Sequence, residues 1–291
     1  MSQSTYRSVF RPGLFVGQTV IVTGGGSGIG RCTAHELANL GASVALVGRR
    51  VEKLEAVQAE ITQAGGRASI HACDIRDEAG VKAMIADVIA QHGKIDGLVN
   101  NAGGQYPQPV KDISLKGWEA VVRSNLTGGF LVSREVYTQW MEAHGGSIVN
   151  IIADMWMGMP GMGHSGAARA GMLNLTETAA LEWAPVRSNA VAPGWIASSG
   201  MDHYPPEMGP LIRRMATMVP ARRLGTESEV AAAIVFLLSP AAAFISGACL
   251  RVDGAAPNAR RHWPEAGTGK SPEAFDGFHL AATPKVLQQG N

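Results

Sequence analysis

An α/β domain, with a seven-stranded parallel sheet doubly wound by helices on both faces, is the fold class predicted for this 291-residue chain. Short runs rich in Val, Ile and Ala alternate with longer segments of helical spacing, which is the pattern of βαβ units. A glycine cluster closes the first of these runs and leads directly into the first helical segment. With 46% hydrophobic and 17% charged residues, the chain can bury one full core.

In chain order, the apolar runs predict strands over Gln18–Thr23, Ser43–Val47, Ala68–Ala72, Gly97–Asn100, Ser147–Ile152, Arg187–Val191 and Ala248–Val252. Helical spacing fills the intervals near 28–40, 51–64, 77–92, 112–144, 163–184 and 226–238. Residues 195–222 break the alternation with Pro, Gly and Met, and are expected to form a mobile flap rather than a second domain. The single domain is expected to span residues 1–255. The Pro- and Gly-rich tail, 256–291, either wraps a neighbouring subunit or lies partly disordered. The short connection Ala184-Pro185-Val186 predicts an abrupt start to the sixth strand.

A formal charge of +1 with no long basic run leaves no footprint for nucleic acid or an anionic membrane. No window approaches eighteen apolar residues, and the first residues lack the apolar core of a signal peptide. Cys32, Cys73 and Cys249 are far apart and in apolar surroundings, so buried free thiols are expected, with no disulfide framework and no metal site. A reducing cytoplasm suits them.

The glycine cluster is Thr23-Gly24-Gly25-Gly26-Ser27-Gly28-Ile29-Gly30. Between a strand and a helix, glycines let the backbone turn sharply and approach a pyrophosphate, whose charge rests on the amides of the helix N-terminus. About twenty residues on, where an acidic residue would grip a ribose 2′-hydroxyl, stand Arg49 and Arg50. Their guanidinium forks suit a 2′-phosphate and predict NADP(H) over NAD(H), the alternative being two arginines facing solvent. Asp74, followed by Ile75, either accepts from the adenine amine or caps the helix near Asp77. Asn101, Ala102 and Gly103 follow the fourth strand, where small residues permit close approach to the adenosine ribose.

TGGGSGIG, NNAG, the Asn125 of SNLTG and VAPGWI at 191–196 together resemble the short-chain dehydrogenase/reductase family over roughly residues 15–255. The resemblance implies a Rossmann-type domain, a nicotinamide cofactor and a homo-tetramer or homo-dimer. It also implies that Gly24, Gly28, Gly30, Asn101, Ala102 and Gly103 line the cofactor, and that Pro193, Gly194 and Ile196 border the nicotinamide. The family's reaction centre is a serine, a tyrosine and a lysine four residues beyond the tyrosine. Here Ile152, Ser165 and Arg169 stand in those places, and none of the four tyrosines, Tyr6, Tyr106, Tyr137 and Tyr204, has a lysine four residues on.

Serine is a poor acid/base, and arginine cannot relay protons as lysine does. Hydride addition to an activated double bond instead asks for fixed donors around a developing enolate oxygen, which Ser165 and Arg169 would supply. HGGSIVNII, HSGAARAG, NNAGGQ and KGW are most similar to the peroxisomal trans-2-enoyl-CoA reductases, then to the 2,4-dienoyl-CoA reductases. The end QQGN carries no peroxisomal address, so the resemblance extends to the chemistry and not the compartment. The segment also resembles proteins assigned to citronellol or citronellal oxidation, an alcohol chemistry that needs another base. Asp154 and His164 are the candidates.

Each candidate has a plainer reading. Apolar neighbours would raise the pKa of Asp154, or it pairs with Arg169 or caps a helix. His164 is catalytic or a hydrogen-bonded structural histidine. Ser165 touches substrate or cofactor, or is an N-cap, and Asn125 holds a site water or is an ordinary helix residue. Arg169, one turn from Ser165, faces cofactor or substrate oxygen, or forms a surface ion pair. Met155, Met157, Met159 and Met162, with Met201, Met208, Met215 and Met218 of the flap, line an apolar substrate pocket or pack the core. Arg213 and Arg214 meet CoA phosphates or solvent. The expectation is therefore an NADP(H)-dependent oxidoreductase for an apolar small molecule such as an acyl-CoA. A non-catalytic NADP(H)-binding protein is the alternative from another class.

Overall fold

The computed structural model describes residues 5–259 and 270–288. The predicted alternation is present. Seven strands, β1 (Thr19–Thr23), β2 (Ser43–Gly48), β3 (Arg67–Ala72), β4 (Gly97–Asn100), β5 (Ser147–Ile151), β6 (Arg187–Pro193) and β7 (Cys249–Val252), form one sheet in the order β3-β2-β1-β4-β5-β6-β7. Every pairing is parallel, with Val20, for example, opposite both Val44 and Gly97. The order reverses between β1 and β4, which opens a crevice beyond their carboxyl ends.

β1 shows why the sheet is covered on both faces. Val20 and Val22 enter one core with Leu37, Leu46, Leu54 and Ile234. Ile21, with the opposite orientation, enters a second core with Val47, Ile85, Leu98, Val132 and Met141. A continuous apolar run, rather than alternation, is what a strand buried on both sides requires. Each fully buried Ile, Leu or Val contributes about 1.5–3 kcal/mol relative to exposure. These runs therefore fix the sheet's interior.

α1 (Gly28–Asn39), α2 (Val51–Gln63) and α3 (Glu78–His92) follow the first three strands. The helix expected over 112–144 is divided into α4 (Leu115–Val122), α5 (Gly128–Val136) and α6 (Glu142–His144), joined by π-helical turns at Arg123–Thr127 and Tyr137–Met141. The period is lost where one residue is inserted per turn, and such turns recur at functional sites. The first holds Asn125. α7 (Gly163–Glu182), α8 (Gly209–Met218) and α9 (Glu227–Leu238) complete the domain, and α10 (Lys285–Gln288) is a short turn of the tail. Thr226 and Glu229 close α9 with a reciprocal capping box.

Over its described part, residues 270–288, the tail packs on its own chain. Phe278 is buried with Tyr6, Cys32 and Ala231, and its N–H donates to Ser228 Oγ at 3.0 Å. Thr226 Oγ1 donates to the Phe275 carbonyl at 2.6 Å. Val286 and Leu287 join Met201, Ile212 and Met215 in a small core under the flap. Among the described residues no helix is long and apolar enough to cross a membrane, no cluster of potential metal ligands forms, and all three cysteines are free thiols, with Cys249 only partly buried.

Candidate active site

The glycine cluster forms the tight strand-to-helix turn expected of it. Gly24 and Gly28 have φ of 66° and 56°, the left-handed region. A Cβ on Gly24 would stand 2.8 Å from Asn101 Nδ2 and 3.0 Å from Ala102 Cα. Gly30 packs directly on the Gly24 carbonyl and the Asn101 amide. Thr23 Oγ1 ties the ends of β1 and β4, accepting from the Asn101 and Ala102 N–H groups at 3.0 Å each. Ser27 is the N-cap of α1, and its side chain makes no capping bond. The first-turn amides thus lack a side-chain partner and point outward as anion donors. Ile29 is partly buried against the core.

A cavity of about 240 Å³ opens beside this turn, lined by Gly24, Ser27, Asp74, Ile75, Ala102 and Gly103 among others. Its cationic wall is larger than the sequence suggested, for Lys53 and Arg76 join the exposed Arg49 and Arg50. Asp74 caps no helix; Asp77 occupies the N-cap of α3. Instead Asp74 Oδ1 accepts from the Arg76 N–H at 3.1 Å, and Oδ2 from Arg76 Nη2 at 2.5 Å. These hydrogen bonds hold its carboxyl down at about 2. Arg76, two residues beyond Asp74 in the run Asp74-Ile75-Arg76, is a wall residue that sequence reasoning passed over. Ile75 is buried and packs beside Gly128.

At the neighbouring end of the crevice the π turn places Asn125 in the interior, 2% exposed. Its Nδ2 donates to the Gly104 carbonyl at 2.6 Å and the Val121 carbonyl at 2.8 Å, and its Oδ1 accepts from the Gly104 N–H at 3.2 Å. Asn125 therefore pins the chain that leaves β4. Arg169 approaches the same chain from α7. Its Nη1 donates to the Ile151 carbonyl at the end of β5, and a Cβ on Gly103 would stand 2.6 Å from Nη2. Nε is buried without a partner, and no carboxylate pairs with the guanidinium among the described residues. Burial pulls its pKa down to about 10, which leaves it a cation at neutral pH. The alternative of a surface ion pair is excluded, as is its pairing with Asp154.

Ser165 lies inside α7, whose N-cap is Met162, so the N-cap reading fails. It is fully buried, and its Oγ donates to Gln105 Oε1 at 2.8 Å. Asp154 lies in the loop after β5 with Oδ1 buried and unpartnered. Burial, then the nearby charge of Asp253, raises its pKa above the ordinary carboxylate range. His164 is buried; its Nδ1 accepts from the Ser165 N–H at 3.0 Å, its ring meets Tyr106 edge-on at 4.7 Å, and Nε2 has no partner.

Pro193 ends β6, Gly194 N–H donates to the Val252 carbonyl at 2.9 Å, and Ile196 bridges Gly225. These three lie outside the walls of the 240 Å³ cavity, towards β7. The methionines do not form one wall. Met155 packs with Ile152 and Met172, whereas Met201, Met208 and Met215 belong to the separate core under the flap. Met157 is 92% exposed. Arg213 Nη1 donates to the Val286 carbonyl of the tail, which accounts for one of the two flap arginines. Gln105, Tyr204 and Asp253 also bear on the site, and sequence reasoning gave them no role there because the groups they meet come from segments remote in sequence.

The profile of the family described as enoyl-(acyl carrier protein) reductase matches residues 24–255. The chain belongs to the short-chain dehydrogenase/reductase family. Members of that family are oxidoreductases that use nicotinamide cofactors. Among curated relatives, the chain is 37% identical over 242 residues to a probable 2,4-dienoyl-CoA reductase of Bacillus subtilis, covering 81% of this chain and 95% of the relative. It is 34% identical over 257 residues to the peroxisomal 2,4-dienoyl-CoA reductase of Danio rerio, covering 86% and 85%. Among solved structures, a citronellol catabolism dehydrogenase (AtuB) of Pseudomonas aeruginosa PAO1 is 62% identical. That match has a TM-score of 0.79 and covers 87% of this chain and all of the other.

Proposed function

We propose that this oxidoreductase uses NADP(H) and reduces the double bond of a trans-2-enoyl-CoA or related unsaturated thioester. The observation that carries the reading is Arg169, whose guanidinium has a buried, unpartnered Nε and no carboxylate partner among the described residues, and is fixed between the end of β5 and Gly103. A preorganised cation of this kind stabilises the negative charge that develops on the thioester oxygen as hydride reaches Cβ; the enolate then takes a proton at Cα from water, so Arg169 itself relays none. The bound nicotinamide supplies that hydride. Arg49, Arg50, Lys53 and Arg76 favour a 2′-phosphate, and the uncapped α1 N-terminus and closely packed Gly24 fit the pyrophosphate.

The resemblance to dienoyl-CoA reductases supports the same chemistry. Rates with crotonyl- or decenoyl-CoA, set against rates with citronellol, test it; rapid citronellol oxidation without enoyl reduction would overturn it.

A second reading, oxidation of an acyclic terpenoid alcohol, is favoured by the relative at 62% identity and by the unpartnered, pKa-raised Asp154 as base. On that reading Asp154→Asn lowers citronellol turnover by about 10²-fold or more. On the first it leaves enoyl reduction within a few-fold of the parent. Steady-state assays of the one variant on both substrates separate the two.

A further inference from the structure

The position that holds the family's tyrosine carries Ser165, and its hydroxyl is committed. Ser165 Oγ donates to Gln105 Oε1 at 2.8 Å, which fixes the orientation of the amide: Gln105 Nε2 faces away and donates to Tyr204 Oη at 2.8 Å. The phenol oxygen is the acceptor in that bond, so its own hydrogen remains available to donate. Tyr204 lies in the flap between the turns Ser199–His203 and Pro206–Met208, and its ring packs on the core of Met201, Ile212 and Met215. Gln105 follows directly on Gly103-Gly104, the stretch clamped by Asn125 and touched by Arg169. A chain of three polar groups thus runs from α7, past the segment that leaves β4, to the flap.

We propose that Tyr204 donates a hydrogen bond to the reacting oxygen alongside Arg169, replacing from the flap the phenol that α7 lacks, with Gln105 as its positioning residue. This rests on the reading that Arg169 receives that oxygen. No bond is made or broken at Tyr204; its O–H stabilises charge on the oxygen and keeps its proton. Because the donor is carried by the flap, the oxyanion site is complete only when residues 199–208 lie on Gln105, which couples substrate enclosure to catalysis.

The test uses the full chain with NADPH and whichever of decenoyl-CoA and citronellol the parent turns over. Tyr204→Phe is expected to lower kcat by about 10²-fold, with KM and NADPH affinity, read by nicotinamide fluorescence, each within twofold of the parent. Gln105→Glu provides the positioning control. A carboxylate accepts from both Ser165 and Tyr204 and turns the phenol hydrogen away from the substrate. It should therefore lower kcat to a comparable extent at unchanged KM, and the double variant should be no worse than Tyr204→Phe alone. A kcat for Tyr204→Phe within threefold of the parent would overturn the proposal. So would full additivity of the two changes.

Arg169→Met is measured in parallel. Loss with Arg169→Met but not with Tyr204→Phe sinks Tyr204 alone. Loss with Tyr204→Phe but not with Arg169→Met sinks the Arg169 reading and leaves the phenol as the donor. Turnover of neither substrate by the parent removes the reacting oxygen and the proposal with it.

Discussion

The turn after β1 and the segment from the end of β5 into α7 lie on the same edge of the sheet, yet are built on opposite principles. Residues 23–30 present backbone: Gly24 and Gly30 admit no side chain, and the one polar side chain that bridges the strands, Thr23, has its hydroxyl saturated by Asn101, Ala102 and Val99. Residues 151–169 present side chains whose polar atoms are buried and unpaired, namely Asp154 Oδ1, His164 Nε2 and Arg169 Nε. Buried polar groups are almost always satisfied in folded proteins. The first region offers backbone amides and keeps its one bridging hydroxyl satisfied. The second retains buried polar groups without partners, and stability is given up there.

Removing the cation from the second region should have the largest effect. Arg169→Met is expected to reduce kcat/KM by about 10²–10³-fold while leaving thermal stability equal or higher, because an unpaired buried charge is exchanged for packing. A large loss of Tm with intact activity would show that Arg169 is structural and erase the contrast.

Next in size is the charged rim of the first region. Arg49→Ala combined with Arg50→Ala should weaken NADPH by about 10–100-fold, the worth of a charge-assisted contact, and leave NADH nearly unchanged. Titration of both cofactors checks it. An equal loss for the two would mean that these arginines do not read the 2′-phosphate.

The smallest effect lies behind the glycine turn, where Glu36 of α1 is fully buried but partnered by the Tyr6 and Ser8 hydroxyls at 3.1 Å each. Burial pushes its pKa up to about 7 from the ordinary 4.5. A raised carboxyl favours its protonated form in the fold. The stability it lends is therefore present below about pH 4.5 and lost as pH rises through about 7. Glu36→Gln should match the parent in Tm under acidic conditions and exceed it modestly above pH 8. A variant less stable at every pH would show that the anchoring of the N-terminal segment needs the carboxylate.

Much of this was legible in the sequence. β1 and β2 announce themselves as continuous apolar runs, and Gly24 to Gly30 sit where a strand must turn tightly into a helix. The departure at Ile152, Ser165 and Arg169 was readable too, because it depends only on spacing within one segment. Other features were not. Asn125 was singled out only through the family motif, and the π turn that swings it inward was not legible, because that turn breaks the helical period. Asp253 acts on Asp154 from just beyond β7, and Gln105 reaches Ser165 and Tyr204 across intervals of 60 and 99 residues. The tail's apolar residues carried no sign that Phe278 would seal α1 or that Val286 would pack beneath the flap.

By itself the sequence determined the class of fold, the glycine turn between β1 and α1 and the absence of the family's acid/base pair, since each is written in local periodicity, backbone freedom or fixed spacing. Only the tertiary structure decided which polar groups at the rim are spent and which are free. A hydrogen bond or a buried charge depends on what arrives from elsewhere in the chain, and no local pattern encodes that arrival.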